Sequence, residues 1–346
     1  MAQEFNRRER NPTKQGAQVL SLRTKMPFIV HKLSHMERYF GRLETVLALI
    51  LLIIGMSLLS PVFLSPRNLM NILLHVSVIG IVAVGMTFVI VSAGIDLSVG
   101  SILALSSVIA ASALKLGVPG IIGIAIGLGI GAICGVFNGI IIAKGKIPPF
   151  IVTLGMMGIA RGLALIIAEG RSIYGFPASF LVLGQARLGG QWPLPALVFL
   201  VVVILGHFVL FHTRLGQYAL VIGDNEAAAR VTGIHINRVK IALYGISGTL
   251  AALGGLVFAS RLNAAEPTAG LGYELDAIAA VIIGGTSLFG GQGSVLGTLV
   301  GVLLVGVLRN GLNLMAVSPY YQQVAIGLVV IGAVLLDRLR GGREAT

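Results

Sequence analysis

Residues 216–240 read GQYALVIGDNEAAARVTGIHINRVK, from Gly216 to Lys240. Asp224, Asn225, Glu226, Arg230, Asn237, Arg238 and Lys240 crowd into this stretch, and long apolar runs flank it on both sides. Charged groups are costly in hydrocarbon, so the stretch must lie outside a bilayer that its flanks cross. At its centre, Glu226-Ala-Ala-Ala-Arg230 joins strong helix formers to an acid–base pair four residues apart. Asp224 or Asn225 is placed to cap the start, and Gly233 to end the turn. The expectation is a short helix held between two membrane spans. It is either a structured cytoplasmic loop or a docking helix for a soluble partner.

The composition agrees with those flanks. Of 346 residues, 56% are hydrophobic and only 11% charged, and the mean hydropathy is +0.95. A soluble domain carries about 25% charged residues. Several apolar runs approach or exceed the roughly 17–25 residues that cross a bilayer. The 47 glycines suit close helix packing in a membrane. The net charge of +12 does not point to nucleic acid, because no basic stripe is interleaved with aromatics. Basic residues instead collect on the cytoplasmic segments of membrane proteins. The single cysteine, Cys134, lies in an apolar run, forms no internal disulfide, and reads as a buried small residue.

Along the chain, residues 1–42 are polar and basic with no signal-peptide cleavage site, and read as a cytoplasmic tail. Residues 43–337 form the transmembrane part, with 216–240 as its cytoplasmic segment, and 338–346 form a second cytoplasmic tail. The apolar runs predict an all-α polytopic membrane protein with spans near 46–63, 69–92, 97–114, 121–142, 150–168, 195–211, 239–260, 275–285, 295–308 and 321–336. The eighth is short. Ten spans put both termini on one side. With that side cytoplasmic, Lys144, Lys146, Arg214, Arg230, Arg238, Lys240, Arg338 and Arg340 all fall inside.

A few polar groups interrupt the apolar sequence. In Ser92-Ala-Gly-Ile-Asp-Leu-Ser-Val-Gly-Ser101, Asp96 and Ser98 are placed to cap the next helix, or to line a path or contact a gate. His75 reads as a neutral, hydrogen-bonded residue between helices. Gly123, Gly127, Gly131 and Gly135 repeat every four residues as a packing face. Arg161 falls well inside a span, so it snorkels, pairs, or marks an interrupted helix. Asn138, Thr153, Gly284, Gly285 and Asn310 are further candidates for a pathway or gate. Glu274 and Asp276 open the eighth segment, where free N–H groups favour carboxylates. The glycine-rich run 284–294 is a cytoplasmic turn or broken-helix backbone. It echoes Gly94–Leu103, either through duplication or through shared turn chemistry.

Catalytic signatures are missing from the sequence. It holds no phosphate-binding loop, no H-E-x-x-H, no paired cysteines and no G-x-S-x-G elbow. The options left are a passive channel for small polar solutes, a transporter driven by a partner, and a non-transporting scaffold.

Four ordered motifs now carry a resemblance. Val91-Ser-Ala-Gly-Ile-Asp-Leu-Ser-Val-Gly-Ser101, Gly223-Asp-Asn-Glu-Ala-Ala-Ala-Arg-Val-Thr-Gly-Ile234, Ile283-Gly-Gly-Thr-Ser-Leu-Phe-Gly-Gly-Gln-Gly-Ser294 and Arg309-Asn-Gly-Leu-Asn-Leu314 resemble the ribose permease-like group of bacterial ATP-binding-cassette (ABC) sugar importer permeases. The resemblance implies a vitamin B12 importer-like (type II ABC importer) arrangement of about ten helices in the bacterial inner membrane. It implies a homodimer, or a heterodimer with a related permease. It also implies a cytoplasmic ABC ATPase that binds ATP and Mg2+, and a periplasmic binding protein that delivers a simple sugar. The permease itself is then no enzyme and binds no cofactor. Gly223, Asp224, Asn225, Glu226, Ala227, Ala228, Arg230 and Gly233 become the segment coupled to the ATPase. Gly94, Asp96, Leu97 and Gly100 become a family-signature turn.

Overall fold

The computed structural model describes residues 44–341. The tail read at 1–42, and residues 342–346 of the tail read at 338–346, lie outside them. Helices dominate: α1 (Glu44–Leu59), α2 (Pro66–Val91), α3 (Val99–Lys115), α4 (Gly120–Gly145), α5 (Pro149–Ile167), α6 (Ala178–Gln185) and α7 (Leu194–His212). There follow α8 (Arg214–Asp224), α9 (Glu226–Val231), α10 (Ile236–Leu262), α11 (Tyr273–Ile283), α12 (Val295–Leu314) and α13 (Pro319–Gly341). Six of them, α2, α4, α5, α7, α10 and α12, are long and apolar enough to cross a membrane, and α1 and α3 are shorter apolar helices.

The architecture is built around α2. Its N-cap Ser65 accepts from the Asn68 amide, Pro66 supplies a preset first turn, and no breaker follows until Ser92. From Val76 to Val91 every residue is buried. A helix apolar on all sides belongs in an interior. It packs on α10, α12, α7 and α11. By contrast no more than about a third of α4, α5 or α7 is buried, which suits helices with lipid-facing sides.

The glycine stripe of α4 is a packing face, as its spacing predicts. A methyl group on Gly131 would overlap the Gly248 carbonyl of α10, and one on Gly135 would overlap the Tyr244 carbonyl. The bare faces let the two backbones approach closely.

The structure corrects several expectations. The first helix ends at Leu59, short of the predicted 63. The connection after α5 carries a short helix, α6, that the sequence pattern did not reveal. It also carries β1 (Ile173–Tyr174) and the strand pair β2 (Arg187–Leu188) with β3 (Trp192–Pro193), and β1 pairs with β4 (Ala264–Ala265), which follows α10. His75 is exposed on α2 rather than enclosed between helices. Helix α5 is not interrupted at Arg161. That guanidinium donates from Nη1 to the carbonyls of Pro267 (2.6 Å) and Ala269 (2.8 Å). It thereby satisfies irregular backbone between β4 and α11, which a membrane tolerates only where protein covers it. The short eighth segment is α11, eleven residues or about 16 Å, roughly half the thickness of a hydrocarbon core.

Asp276 lies in the first turn of α11, as expected, and also reaches a second helix. Its Oδ1 accepts from Arg309 Nη2 of α12 at 2.8 Å, with the carboxylate 1% exposed. Glu274 stays at the helix start and accepts from the Gly272 amide. A neighbouring polar link joins α2 to α12, where Asn68 and Asn310 exchange two amide hydrogen bonds of 2.8 Å.

Candidate functional site

The polar stretch folds as two consecutive helices, α8 and α9, rather than one. Asn225 separates them. Its extended backbone breaks α8, and its Oδ1 accepts from the Ala228 amide at 2.9 Å to start α9. Asp224, the other cap candidate, closes α8. Gly233 ends α9 in the left-handed region (φ +83°). There the Gly233 amide donates to Arg230 and the Ile234 amide to Ala229, the paired bonds of a Schellman stop.

Helix α9 presents nearly its whole circumference to solvent. Glu226, Ala227, Ala228, Arg230 and Val231 are exposed, and Ala229 alone is buried. Val231 is 89% exposed, which is unusual for a valine and was not singled out from the sequence. Glu226 holds the helix to α10, accepting from Lys240 Nζ at 2.7 Å and from Arg230 Nη2 at 3.2 Å. The hydrogen bond from Lys240, above all, keeps the Glu226 carboxyl below the ordinary glutamate range. A depressed carboxylate contributes its stabilisation above the unfolded value and loses it as pH falls through the folded one. The clasp therefore holds at neutral pH and opens only in acid. Its net contribution is small, because Glu226 is 44% exposed.

Loss of the Asn225 cap costs about 1 kcal/mol. Asn225→Ala is therefore expected to speed amide exchange across 226–231 about fivefold, read by hydrogen–deuterium exchange. Unchanged protection there would mean that the cap does not support α9.

Three of the sequence motifs meet beneath this helix pair. At the end of α8, Gly223 lies so close to the Val91 carbonyl and the Gly291 amide that a methyl group would overlap both. The Gly291 N–H donates to Val91 O at 2.9 Å. Gly290 packs against Ala93, and Gly291 against Asp224. The glycine-rich run 284–294 is thus a loop docked between α8 and the end of α2. Gly284 and Gly285 form the stop of α11 behind it, with Gly285 left-handed at φ +83°.

Asp96 accepts from the Ser98 amide at the start of α3, as its position predicts, and reaches beyond that helix as well. Ser98 occupies the cap position without a side-chain cap bond. Asp96 is fully buried. Its Oδ1 accepts from the Ser98 amide (3.0 Å) and the Ser98 hydroxyl (2.5 Å), and its Oδ2 accepts from Ser247 Oγ of α10 (2.8 Å). Asn138 of α4 donates to Ser98 Oγ at 2.9 Å. Thr153 Oγ1 of α5 lies 3.3 Å from the Ile95 carbonyl, and its one proton has a nearer acceptor in the Pro149 carbonyl at 3.0 Å. The Ile95 carbonyl also faces the Tyr244 hydroxyl of α10 at 3.5 Å. Gly94 lies under Tyr244, and Gly100 lies so close to the Gly270 carbonyl that neither position has room for a side chain. Leu97 is partly buried beside the core.

Among the proposed pathway residues, Asn138 and Thr153 therefore converge on the signature turn, and Gly284 and Gly285 stand behind the docked loop. Asn310 does not join them. It is sixteen residues along α12 from Ser294, about 24 Å away, and pairs with Asn68. Sequence reasoning missed Ser247 and Tyr244, which look like ordinary helix residues in an apolar run. It also missed the Arg309–Asp276 pair, whose partners lie 33 residues apart.

A core of apolar helices around α2, with a polar helix pair turned to solvent at one end, defines a multi-pass helical membrane protein. The chain belongs to the family described as the permease component of the branched-chain amino acid transport system, whose model matches residues 68–334. It is 45% identical over 309 residues to the ribose import permease protein of Escherichia coli strain K12, covering 87% of this chain and 96% of that one. It is 45% identical to the ribose import permease protein of Bacillus subtilis strain 168, covering 88% and 95%. It is 40% identical to the D-allose transport system permease protein of Escherichia coli K12, covering 85% and 90%. No solved structure matches the chain.

Proposed function

We propose that this chain is the membrane-spanning permease subunit of an ATP-driven, binding-protein-dependent importer of a simple sugar, a ribose-like pentose or a hexose. Similarity over nearly the whole length of sugar import permeases carries the reading. The chain works in the bacterial inner membrane, crosses it about ten times in a vitamin B12 importer-like arrangement, and keeps both termini in the cytoplasm. Two such subunits, identical or related, form the pathway. ATP and Mg2+ bind to the partner ATPase, and the sugar arrives from a periplasmic binding protein.

The solvent-facing α9 is the docking element for the ATPase. A short capped helix with an exposed valine, held to α10 by Glu226–Lys240, suits insertion into a groove on a soluble protein. The motor closes on ATP, moves α8–α9, and switches a central cavity between outward- and inward-open states. The substrate undergoes no chemistry.

Val231→Glu tests the docking surface without disturbing the fold, since the side chain is solvent-facing. Burying an unpaired carboxylate at an interface is expected to weaken ATPase binding at least about 30-fold, read by co-purification at defined concentrations. Wild-type retention of the ATPase by this variant would place the docking surface elsewhere.

A further inference from the structure

We propose that Asp96 is the positioning residue through which movement of the coupling helices reaches the membrane helices. The inference rests on the reading of α8–α9 as the ATPase-docking segment.

The contact between α8 and the body of the protein is backbone against backbone. Gly223 meets the Val91 carbonyl with no side chain between them, and the Gly291 amide is bonded to the same carbonyl. Backbone atoms cannot rotate out of the way as side chains do, so displacement of α8 passes directly to the end of α2. That end is itself stiff. The Ala93 amide donates to Ile90 and the Gly94 amide to Val89, forming a Schellman stop with alanine, not glycine, in the left-handed position (φ +59°). A non-glycine residue there costs roughly 1–2 kcal/mol. Such strain persists only where the surroundings over-determine it.

Immediately beyond this corner, Asp96 gathers the helices. Its two oxygens hold Ser98 at the head of α3 and Ser247 in α10. Ser98 accepts from Asn138 in α4, and Thr153 Oγ1 of α5 rests against the adjacent Ile95 carbonyl. Three helices are therefore hydrogen-bonded to one turn and a fourth packs on it, and the other end of that turn touches α8. Oδ1 accepts two of the three donors and Oδ2 the third. An amide of the same shape keeps the Oδ1 pair and can reverse the bond to Ser247, so only loss of the whole head group removes all three links. A helix start alone would be served by an ordinary cap. A fully buried carboxylate is an expensive group wherever it lies, and it persists only where its bonds are needed.

The test uses the full complex of permease and ATPase in lipid nanodiscs, with spin labels at Ile159 in α5 and Leu328 in α13, both exposed. The probes are ATP and vanadate. In wild type, the label-to-label distance is expected to shift on trapping with ATP and vanadate. In Asp96→Ala, which removes all three bonds, ATPase retention and ATP hydrolysis are expected to stay within about threefold of wild type, while the shift is lost. A merely structural role would lower assembly and hydrolysis together and leave the shift in whatever complex survives. If Asp96→Ala fails to assemble, Ser247→Ala decides, because it removes only the bond from Asp96 to α10. A full shift in an assembled Asp96→Ala complex, a full shift in Ser247→Ala, or no shift in wild type overturns the proposal. A wild-type permease that retains no ATPase overturns the docking reading itself, and this inference with it.

Discussion

Gly223→Val is expected to leave at most about one-tenth of wild-type transport, with a lower unfolding midpoint in detergent. The new side chain has nowhere to go. Its Cβ would coincide with the Val91 carbonyl on one side and the Gly291 amide on the other. Both are backbone groups in contact with each other through a 2.9 Å hydrogen bond. Overpacking in a well-packed interior costs roughly 1–3 kcal/mol when side chains can shift, and more when they cannot. Relief requires that α8 swing away from α2 or that the 284–294 loop leave its seat. Either breaks the only backbone route described above from α9 to the signature turn. Gly129→Ala is the matching control, since nothing lies within 4 Å of its added methyl group. It should melt and transport as wild type does. Normal transport by Gly223→Val would mean that the α8–α2 contact is dispensable.

The second large effect is thermodynamic. Arg309→Met is expected to destabilise the permease by about 3 kcal/mol, the lower end for breaking a buried pair. Arg309 is 34% exposed, but Asp276 is 1% exposed and would be left without its counter-charge. For a chain of this size that corresponds to a drop of about 4 °C in the unfolding midpoint. The double variant Asp276→Leu/Arg309→Met is expected to recover more than half of the loss. Desolvating both charges costs nearly what their attraction returns. A single variant that melts like wild type would show that the pair is idle, and a double variant no better than the single would point to lost shape rather than lost charge.

These two sites differ in how far the sequence announces them. The long runs that become α2, α4, α5, α7, α10 and α12 are legible because a bilayer-length apolar segment has few other fates. The position of α9 is legible because Asn225, Glu226, Arg230 and Gly233 give a cap, an ion pair and a stop at helical spacing. The division into α8 and α9 is less visible, because Asn225 breaks one helix by the same extended backbone that caps the next.

Asp96 is conspicuous in sequence as a lone carboxylate between apolar spans, and local reasoning assigns it to the nearest helix start. It does bond there, to Ser98, but its other partner, Ser247 in α10, lies 151 residues away. One-dimensional spacing carries no information about that pairing. Arg161 follows the same logic. Its partners are carbonyls, which every residue possesses, so nothing in the sequence marks Pro267 and Ala269 as their owners. The glycine-rich run 284–294 is recognisable as a non-helical segment, but its seat on Val91 and Gly223 exists only in three dimensions.

The most direct test of the account is uptake into sealed vesicles containing the permease. Radiolabelled D-ribose, D-allose, D-fructose or L-arabinose is supplied in turn, and the ATPase and the sugar-loaded binding protein are added singly and together. One of these sugars is expected to accumulate above its external concentration, and only when ATP and both partners are present. Equilibrative flux of the same sugars without ATP or partners would contradict it and identify a passive channel.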